Sequence, residues 1–406
     1  MSLDSASPRR GLPAIGAAIS VTILMVIILS LPLAAARAMR LSMADTNSWI
    51  LSLYALPSIL SLVLIARYRQ PLALTGNLFV IIFIVSLEDQ FVYAELIGAY
   101  VIAGASILLL TVLGLTDRLA AWIPAPIAYG LLAGATVPFV SNVFTTFGDA
   151  PVLVGATFLA YVLSRFTLGN RLPAVLPAAV VGLVVAALSG QLGQMATGFS
   201  LPLPTITAPV FSLPAIVTVT PVLVILLEIQ SNLPSLVFLQ SQGYRPPGRV
   251  INMVSGVGAM LGSLLGPTGV SLSLPVTSLV AGPGAGEQHL RHRSAYLVAV
   301  GALLIGLLAG VATDLATIVP LSLLLTLAGL ALIDVLVNAL QRITQGPLVL
   351  GPAFAFAIAL SQISFLGLGP FFWSPILGTG ISLVLERDKL RELREKVRQE
   401  LPAEQT

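Results

Sequence analysis

No cysteine occurs among the 406 residues of this chain, which excludes disulfides, thiolate chemistry and Cys-type metal sites. The two histidines, His289 and His292, sit in one polar stretch without His-x-x-x-His or His-Glu spacing. No metal or other cofactor is therefore expected. Charge is also scarce. Asp, Glu, Lys and Arg make up 9% of the residues, whereas a soluble surface needs about a quarter to a third. What fills the chain instead is apolar, with 57% hydrophobic residues and a mean hydropathy of +0.99. That combination specifies an all-α polytopic membrane protein. The net charge of +3 and pI near 9.4 would suit a nucleic-acid partner, but the basic residues lie in loops and a tail, where they set topology. A membrane enzyme is also disfavoured, since no His/Asp cluster or same-helix acid pair is present.

Apolar runs separated by Pro, Gly or charge give fourteen segments. The first seven are roughly 11–35, 47–66, 71–86, 92–114, 124–147, 151–167 and 172–189. The second seven are roughly 213–241, 249–265, 268–282, 294–312, 318–340, 347–366 and 369–386. The first run follows Arg9-Arg10 and is too long for a typical cleaved signal peptide, so it reads as a span. With the N-terminus in the cytoplasm, Arg37 and Arg40 are the only two of twenty cationic residues that fall outside. Arg9, Arg10, Arg67, Arg118, Arg165, Arg171, Arg291, Arg342 and the tail fall inside. This positive-inside bias predicts a multi-pass protein of the cytoplasmic membrane with both termini cytoplasmic. Glu88, Asp89, Asp149 and Asp314 fall outside, as does the uncharged Pro/Thr-rich 190–212 connection. The charged tail 386–406 reads as a short helix with i,i+4 pairs, solvated or against lipid headgroups.

The two halves align without gaps at an offset of 196 residues. Pro71 meets Pro267, Tyr100 meets Tyr296, Gly114 meets Gly310, and Pro124 meets Pro320. Leu119-Ala120 meets Leu315-Ala316. Because seven is odd, two similar halves of seven spans cross the membrane in opposite senses. Such a 7+7 inverted repeat points to alternating access around a site at the repeat interface.

Two segments are too short to span as helices, which need about 20 residues. An extended stretch rises about 3.3 Å per residue against 1.5 Å in a helix. A short strand followed by a half-helix can therefore cross in spans 3 and 10. Val270-Ser271-Leu272-Ser273-Leu274 alternates as a strand does, and Thr75-Gly76-Asn77 and Pro275-Val276-Thr277 open the half-helices. Two half-helix N-termini meeting at mid-membrane offer backbone N–H groups and positive dipole ends to an anionic solute. Candidate binding residues are Thr75, Gly76 and Asn77 in the first segment and Thr268, Gly269, Ser271, Ser273 and Thr277 in the second. Their small size also suits plain close packing of helices.

The most unusual stretch is Leu226-Leu227-Glu228-Ile229-Gln230-Ser231-Asn232-Leu233-Pro234-Ser235. It places a carboxylate, two amides and a helix-breaking proline inside an apolar run. Ionisable groups at such depth are usually functional, and broken backbone is tolerated where it lines a cavity. Glu228, Ser231 and Asn232 share a helix face and are further candidate binding residues, and Gln230 points nearly opposite. Glu228 is the candidate proton-coupling residue, the alternative being a structural acid. Glu95 and Asp334 read as boundary or interdomain acids, and Trp122 and Trp373 as interface-belt residues.

Asn232-Leu233-Pro234-Ser235 followed by Gly243-Tyr244-Arg245-Pro246-Pro247 resembles the benzoate/proton symporter (BenE) family, which carries Asn-x-Pro leading into Gly-Tyr-x-Pro-Pro. Ile123-Pro124-Ala125-Pro126-Ile127-Ala128 with Leu132-Ala133-Gly134 is similar to that family's fifth-span entry, and Leu327-Ala328-Gly329-Leu330-Ala331-Leu332 to its twelfth. The likeness runs from about 47 to 386. It implies the fold shared with uracil/xanthine and sulfate/bicarbonate permeases. In that fold a core domain (11–114 and 213–312) works against a gate domain (124–189 and 318–386), with 387–406 as a cytoplasmic tail. It also implies solute between half-spans 3 and 10, and a homodimer. The sequence departs from the family where Ser231 replaces the usual Gln, where Glu228 adds a carboxylate, and in segment 10. The expected function is proton-coupled uptake of a small organic anion such as an aromatic carboxylate. A nucleobase or inorganic-anion (bicarbonate or sulfate) permease, and a channel, are the alternatives.

Overall fold

The computed structural model of the chain describes residues 12–87, 90–116, 123–168, 174–193, 203–361, 365 and 368–400. Arg9, Arg10, Arg118, Arg171, Glu88, Asp89, Leu119, Ala120 and Trp122 lie outside the described residues, as do 194–202 of the long connection, parts of spans seven and thirteen, and the end of the tail. The side chain of Asp314 is also outside them.

The described residues are overwhelmingly helical. The first half comprises α1 (Leu12–Ile28), α2 (Ser30–Ala38), α3 (Met43–Tyr68), strand β1 (Leu74–Gly76), α4 (Leu78–Ser86), α5 (Tyr93–Val112), α6 (Ala125–Asp149), α7 (Pro151–Leu168) and α8 (Val175–Leu188). The second half opens with α9 (Leu213–Val224), a π-helical stretch (Ile225–Asn232) and α10 (Leu233–Ser241). It continues through α11 (Gly248–Ser263), strand β2 (Val270–Leu272), α12 (Leu274–Ala281), α13 (Arg291–Leu307) and α14 (Ala309–Ile318). It closes with α15 (Leu321–Thr344), α16 (Leu350–Leu360), α17 (Pro370–Leu385) and α18 (Arg387–Glu400). Among the described residues six stretches are long and apolar enough to cross a membrane: α3, α5, α6, α9 through α10, 288–307 and α15. Shorter apolar helices are α7, α8, α16 and α17. The first predicted span is two helices, α1 and α2, meeting at Leu29.

The strands fall where the two short segments predicted them, and they pair antiparallel, Leu74 with Leu272, Thr75 with Ser271 and Gly76 with Val270. Lipid cannot satisfy the open edges of a two-stranded ribbon, so side chains replace the missing neighbours. Ser61 Oγ accepts from Leu74 N at 2.7 Å and donates to Leu74 O at 3.3 Å. On the other edge Asn232 Oδ1 accepts from Leu272 N at 2.9 Å. The strand alternation read through Leu274 stops at Leu272, because Ser273 takes the N-cap position of α12.

Two groups of helices surround this ribbon. In one, α3 packs on α13, α5 on α9 and α11, and α1 on α13. In the other, α6 packs on α15 and α16, α16 on α17, and α7 on α8 and α15. They meet where α6 touches both α4 and the π stretch, with Ile225 and Ile229 on Ala128. Glycines allow close approach: a Cβ on Gly76 would strike the Leu53 carbonyl oxygen of α3.

Three acids outside the ribbon, Glu95, Asp334 and Glu386, have structural partners. Glu95 accepts from Val92 N at 3.0 Å and caps α5, in keeping with a boundary position. Asp334 of α15 forms a two-pronged pair with Arg165 of α7 at 2.8 and 2.9 Å. Glu386, read from sequence as the start of the tail, is 6% exposed. Its carboxylate accepts from Val349, Leu350 and Gly351 N–H at 2.7 to 3.0 Å and so caps the N-terminus of α16. The tail is helical and carries the expected i,i+4 pair, Arg391 with Glu395 at 3.2 Å. Trp373 donates to the Phe365 carbonyl at 3.1 Å.

Candidate solute-binding site

Both half-helices begin at the ribbon. Asn77 is the N-cap of α4: its Oδ1 accepts from Phe79 N at 2.9 Å and Val80 N at 3.1 Å. That arrangement satisfies two of the four N–H groups a helix start leaves free. Its Nδ2 donates to Ser231 Oγ of the π stretch and to Ser271 Oγ of β2, both at 2.7 Å. Its backbone N–H donates to Gly269 O at 2.7 Å. One asparagine thus joins α4, β2 and the π stretch. The start of α12 is different. Ser273 makes no side-chain cap, Pro275 has no N–H, and Thr277 N bonds back to Ser273 O at 2.7 Å. The two helix starts therefore differ: the one at α4 is capped by a side chain and the one at α12 is not.

The π stretch explains how the polar residues of the eighth span face different neighbours. Pro234 has no N–H to continue an α-helical ladder, and the turn widens: Leu233 N bonds to Glu228 O five residues back. Ser231 Oγ fills in by donating to Leu226 O at 2.8 Å, and Ser235 Oγ by donating to Ser231 O at 2.7 Å. Such wide turns recur at functional sites. Asn232 Nδ2 lies 3.2 Å from Glu228 Oε1, 3.0 Å from Ser255 Oγ and 3.4 Å from Asn252 Oδ1. An amide nitrogen carries two hydrogens, so these three acceptors share two donors. The i,i+4 partnership of Glu228 with Asn232 read from sequence is present.

Most predicted site residues come together, and most are already used by one another. Asn77, Ser231 and Ser271 are buried and joined through the Asn77 amide, and buried Asn232 bonds to Glu228 and to Leu272 N. Thr75 lies opposite Ser271 in the ribbon. Gly269 is tightly packed, since a Cβ there would sit 3.0 Å from Leu227 and 3.1 Å from Val80. Thr268 lies against Gly262 of α11, and Ser273 is half-buried at the start of α12.

The buried polar atoms left without a protein partner include Glu228 Oε2, Thr268 Oγ1, Thr277 Oγ1 and both polar atoms of Gln230. Gln230 is 1% exposed. On a regular helix it would point nearly opposite Glu228. The available signal was an amide among apolar residues, but its surroundings could not be read without the π turn. The described residues also contain no buried Lys or Arg to neutralise Glu228.

The Benzoate membrane transport protein (BenE) family model matches residues 11–384. The chain belongs to this family. It is a multi-pass membrane transporter. Two curated relatives are each 25% identical to it: a benzoate membrane transport protein of Acinetobacter baylyi, over 84% of this chain and 87% of that one, and the inner membrane protein YdcO of Escherichia coli, over 84% and 88%. Among solved structures, SLC26A9 aligns at TM-score 0.60 and 16% identity, covering 92% of this chain and 64% of that one. The transmembrane domain of the cyanobacterial bicarbonate transporter BicA aligns at 0.56 and 16%, covering 93% and 97%. At these identities the two structures establish a shared fold. The family resemblance carried by Asn232-Leu233-Pro234 and the Gly243–Pro247 motif is thus upheld.

Proposed function

We propose that this BenE-family transporter takes up a small organic anion of the aromatic-carboxylate class together with a proton, by alternating access of a core domain against a gate domain. The core would be 11–114 with 213–312, and the gate 124–189 with 318–386. The carrying observation is the junction of β1, β2, α4, α12 and the π stretch, where the buried carboxyl of Glu228 keeps one oxygen unpartnered and its partner Asn232 holds β2, the strand that leads into the uncapped start of α12. An uncapped start carries about half a positive charge and suits a carboxylate. A charged side chain at bilayer depth costs about 3 kcal/mol or more, and no buried Lys or Arg among the described residues offsets it at Glu228. A carboxyl so placed is suited to gaining a proton in one half of the cycle and releasing it in the other. The 7+7 inverted repeat with fourteen spans, the cytoplasmic termini and a homodimeric assembly belong to the same proposal.

The test is uptake into proteoliposomes holding a pH-sensitive dye. Benzoate with wild-type protein should acidify the lumen, and Glu228→Gln should abolish substrate-driven acidification while leaving solute exchange. Unchanged proton movement in Glu228→Gln would refute the carrier role. Competition by uracil or bicarbonate stronger than by benzoate would move the substrate class instead.

A further inference from the structure

The far end of α12, away from the junction, is held in an unusual way. A helix leaves its last four carbonyls without partners inside the helix. In α12 these include Val280 and Ala281, both buried. The first turn of α13 supplies partners for both. Arg291 Nη1 donates to Ala281 O at 2.7 Å and Ser294 Oγ to Val280 O at 3.4 Å. The same guanidinium donates through Nε to Gly286 O at 2.8 Å and through Nη1 to Gln242 Oε1 at 3.3 Å.

The loop after α10 braces that arginine. Gln288 Nε2 donates to Gln242 O at 2.9 Å, and Tyr244 OH donates to Gln288 O at 2.8 Å. Gly243 (φ 81°) and Gly286 (φ 97°) take the left-handed backbone that brings the two loops together. Gln70 Nε2, next to the first short segment, donates to Arg245 O at 2.8 Å. The Gly243-Tyr244-Arg245-Pro246-Pro247 motif therefore lies at the far end of the half-helix, not at the solute junction.

The two halves differ here. The position 196 residues before Arg291 is Glu95, which caps its own helix. The end of α4 closes on itself, with Leu87 N bonded to Ile84 O and Ser86 Oγ to Phe83 O. A cation on the negative end of α12 offsets its dipole and fixes its axis, and α12 is the half-helix with the uncapped start.

We infer that Arg291 is a positioning residue of the transport site: braced by the 242–247 loop, it holds α12 from its far end and thereby sets solute affinity without touching the solute. This rests on the reading that solute binds at the start of α12.

The experiment uses full-length protein in nanodiscs and proteoliposomes, with Arg291→Gln, Arg291→Lys and Tyr244→Phe. Amide hydrogen exchange reports on the helix, and benzoate uptake separates half-saturation from maximal rate. Losing a charge-assisted bond should speed exchange in 274–281 about tenfold, with 78–86 unchanged. Half-saturation should rise by a similar factor while the maximal rate falls less. Lys should recover part of the loss, and Tyr244→Phe should move both readouts the same way more weakly. Exchange rising equally in α4 and α12 would reduce Arg291 to a general stabiliser and overturn the inference. So would unchanged exchange in α12, or faster exchange with unaltered half-saturation. If benzoate is not transported at all, the proposed substrate fails, and the exchange pattern still decides whether Arg291 holds α12.

Discussion

Asn77 concentrates the site's polar logic in one side chain. It caps α4 through its oxygen and bridges Ser231 to Ser271 through its nitrogen. The two duties can be separated. Asn77→Ala removes the cap, worth about 1 kcal/mol, and two buried hydrogen bonds worth about 1 kcal/mol each. Asn77→Ser keeps a capping oxygen but cannot reach both serines. Thermal unfolding of purified protein should therefore rank wild type above Ser and Ser above Ala, with Ser recovering about a third of the loss. Equal midpoints for Ser and Ala would mean that the cap contributes nothing. Asn77 was legible from sequence because an asparagine after Gly in a short apolar segment is a helix-start signal. Gln230 and Glu386 were not. Each is polar beside an apolar run, and the meaning of each depends on which distant backbone it meets.

At the scale of elements, the short segments were readable because length alone forbids a full helical crossing. Strand and half-helix then followed from Val270-Ser271-Leu272 and from Thr75-Gly76-Asn77. The π turn was not readable. Pro234 announces a break in the ladder, but whether a helix kinks, tightens or widens depends on neighbours such as Ser231 and Asn252. The ribbon's closeness to α3 and the π stretch gives a graded expectation. A methyl on Gly269 would lie 3.0 Å from Leu227 and 3.1 Å from Val80, flexible side chains that can shift. On Gly76 it would meet the Leu53 backbone, which cannot. Gly269→Ala should fold with a modest loss of thermal stability, about 1 kcal/mol. Gly76→Ala should lose more, about 1–3 kcal/mol, and expression with a native elution profile is the simplest readout. Gly76→Ala as stable as wild type would mean the ribbon sits further from α3 than described.

For the whole molecule, the offset of 196 residues connects sequence and fold. α4 starts at Leu78 and α12 at Leu274, α6 at Ala125 and α15 at Leu321, each pair 196 apart. The ribbon carries the same relation. Thr75 faces Ser271, and shifting Leu74 and Gly76 by 196 gives Val270 and Leu272, the partners of Gly76 and Leu74. A register symmetric about Thr75 and Ser271 is what a two-fold axis through that pair demands. An axis in the membrane plane would put repeat-related ends on opposite sides. The absence of cysteine makes this testable, because a single introduced thiol has no background. Gly148 ends α6 with open space around its Cα, and its mate Thr344 ends α15 and is exposed. Gly148→Cys should react with a membrane-impermeant maleimide added to intact cells. Thr344→Cys should react only after permeabilisation. Labelling of both from the same side would place the halves in parallel, and a site shared by two opposed half-helix starts would lose its geometric basis.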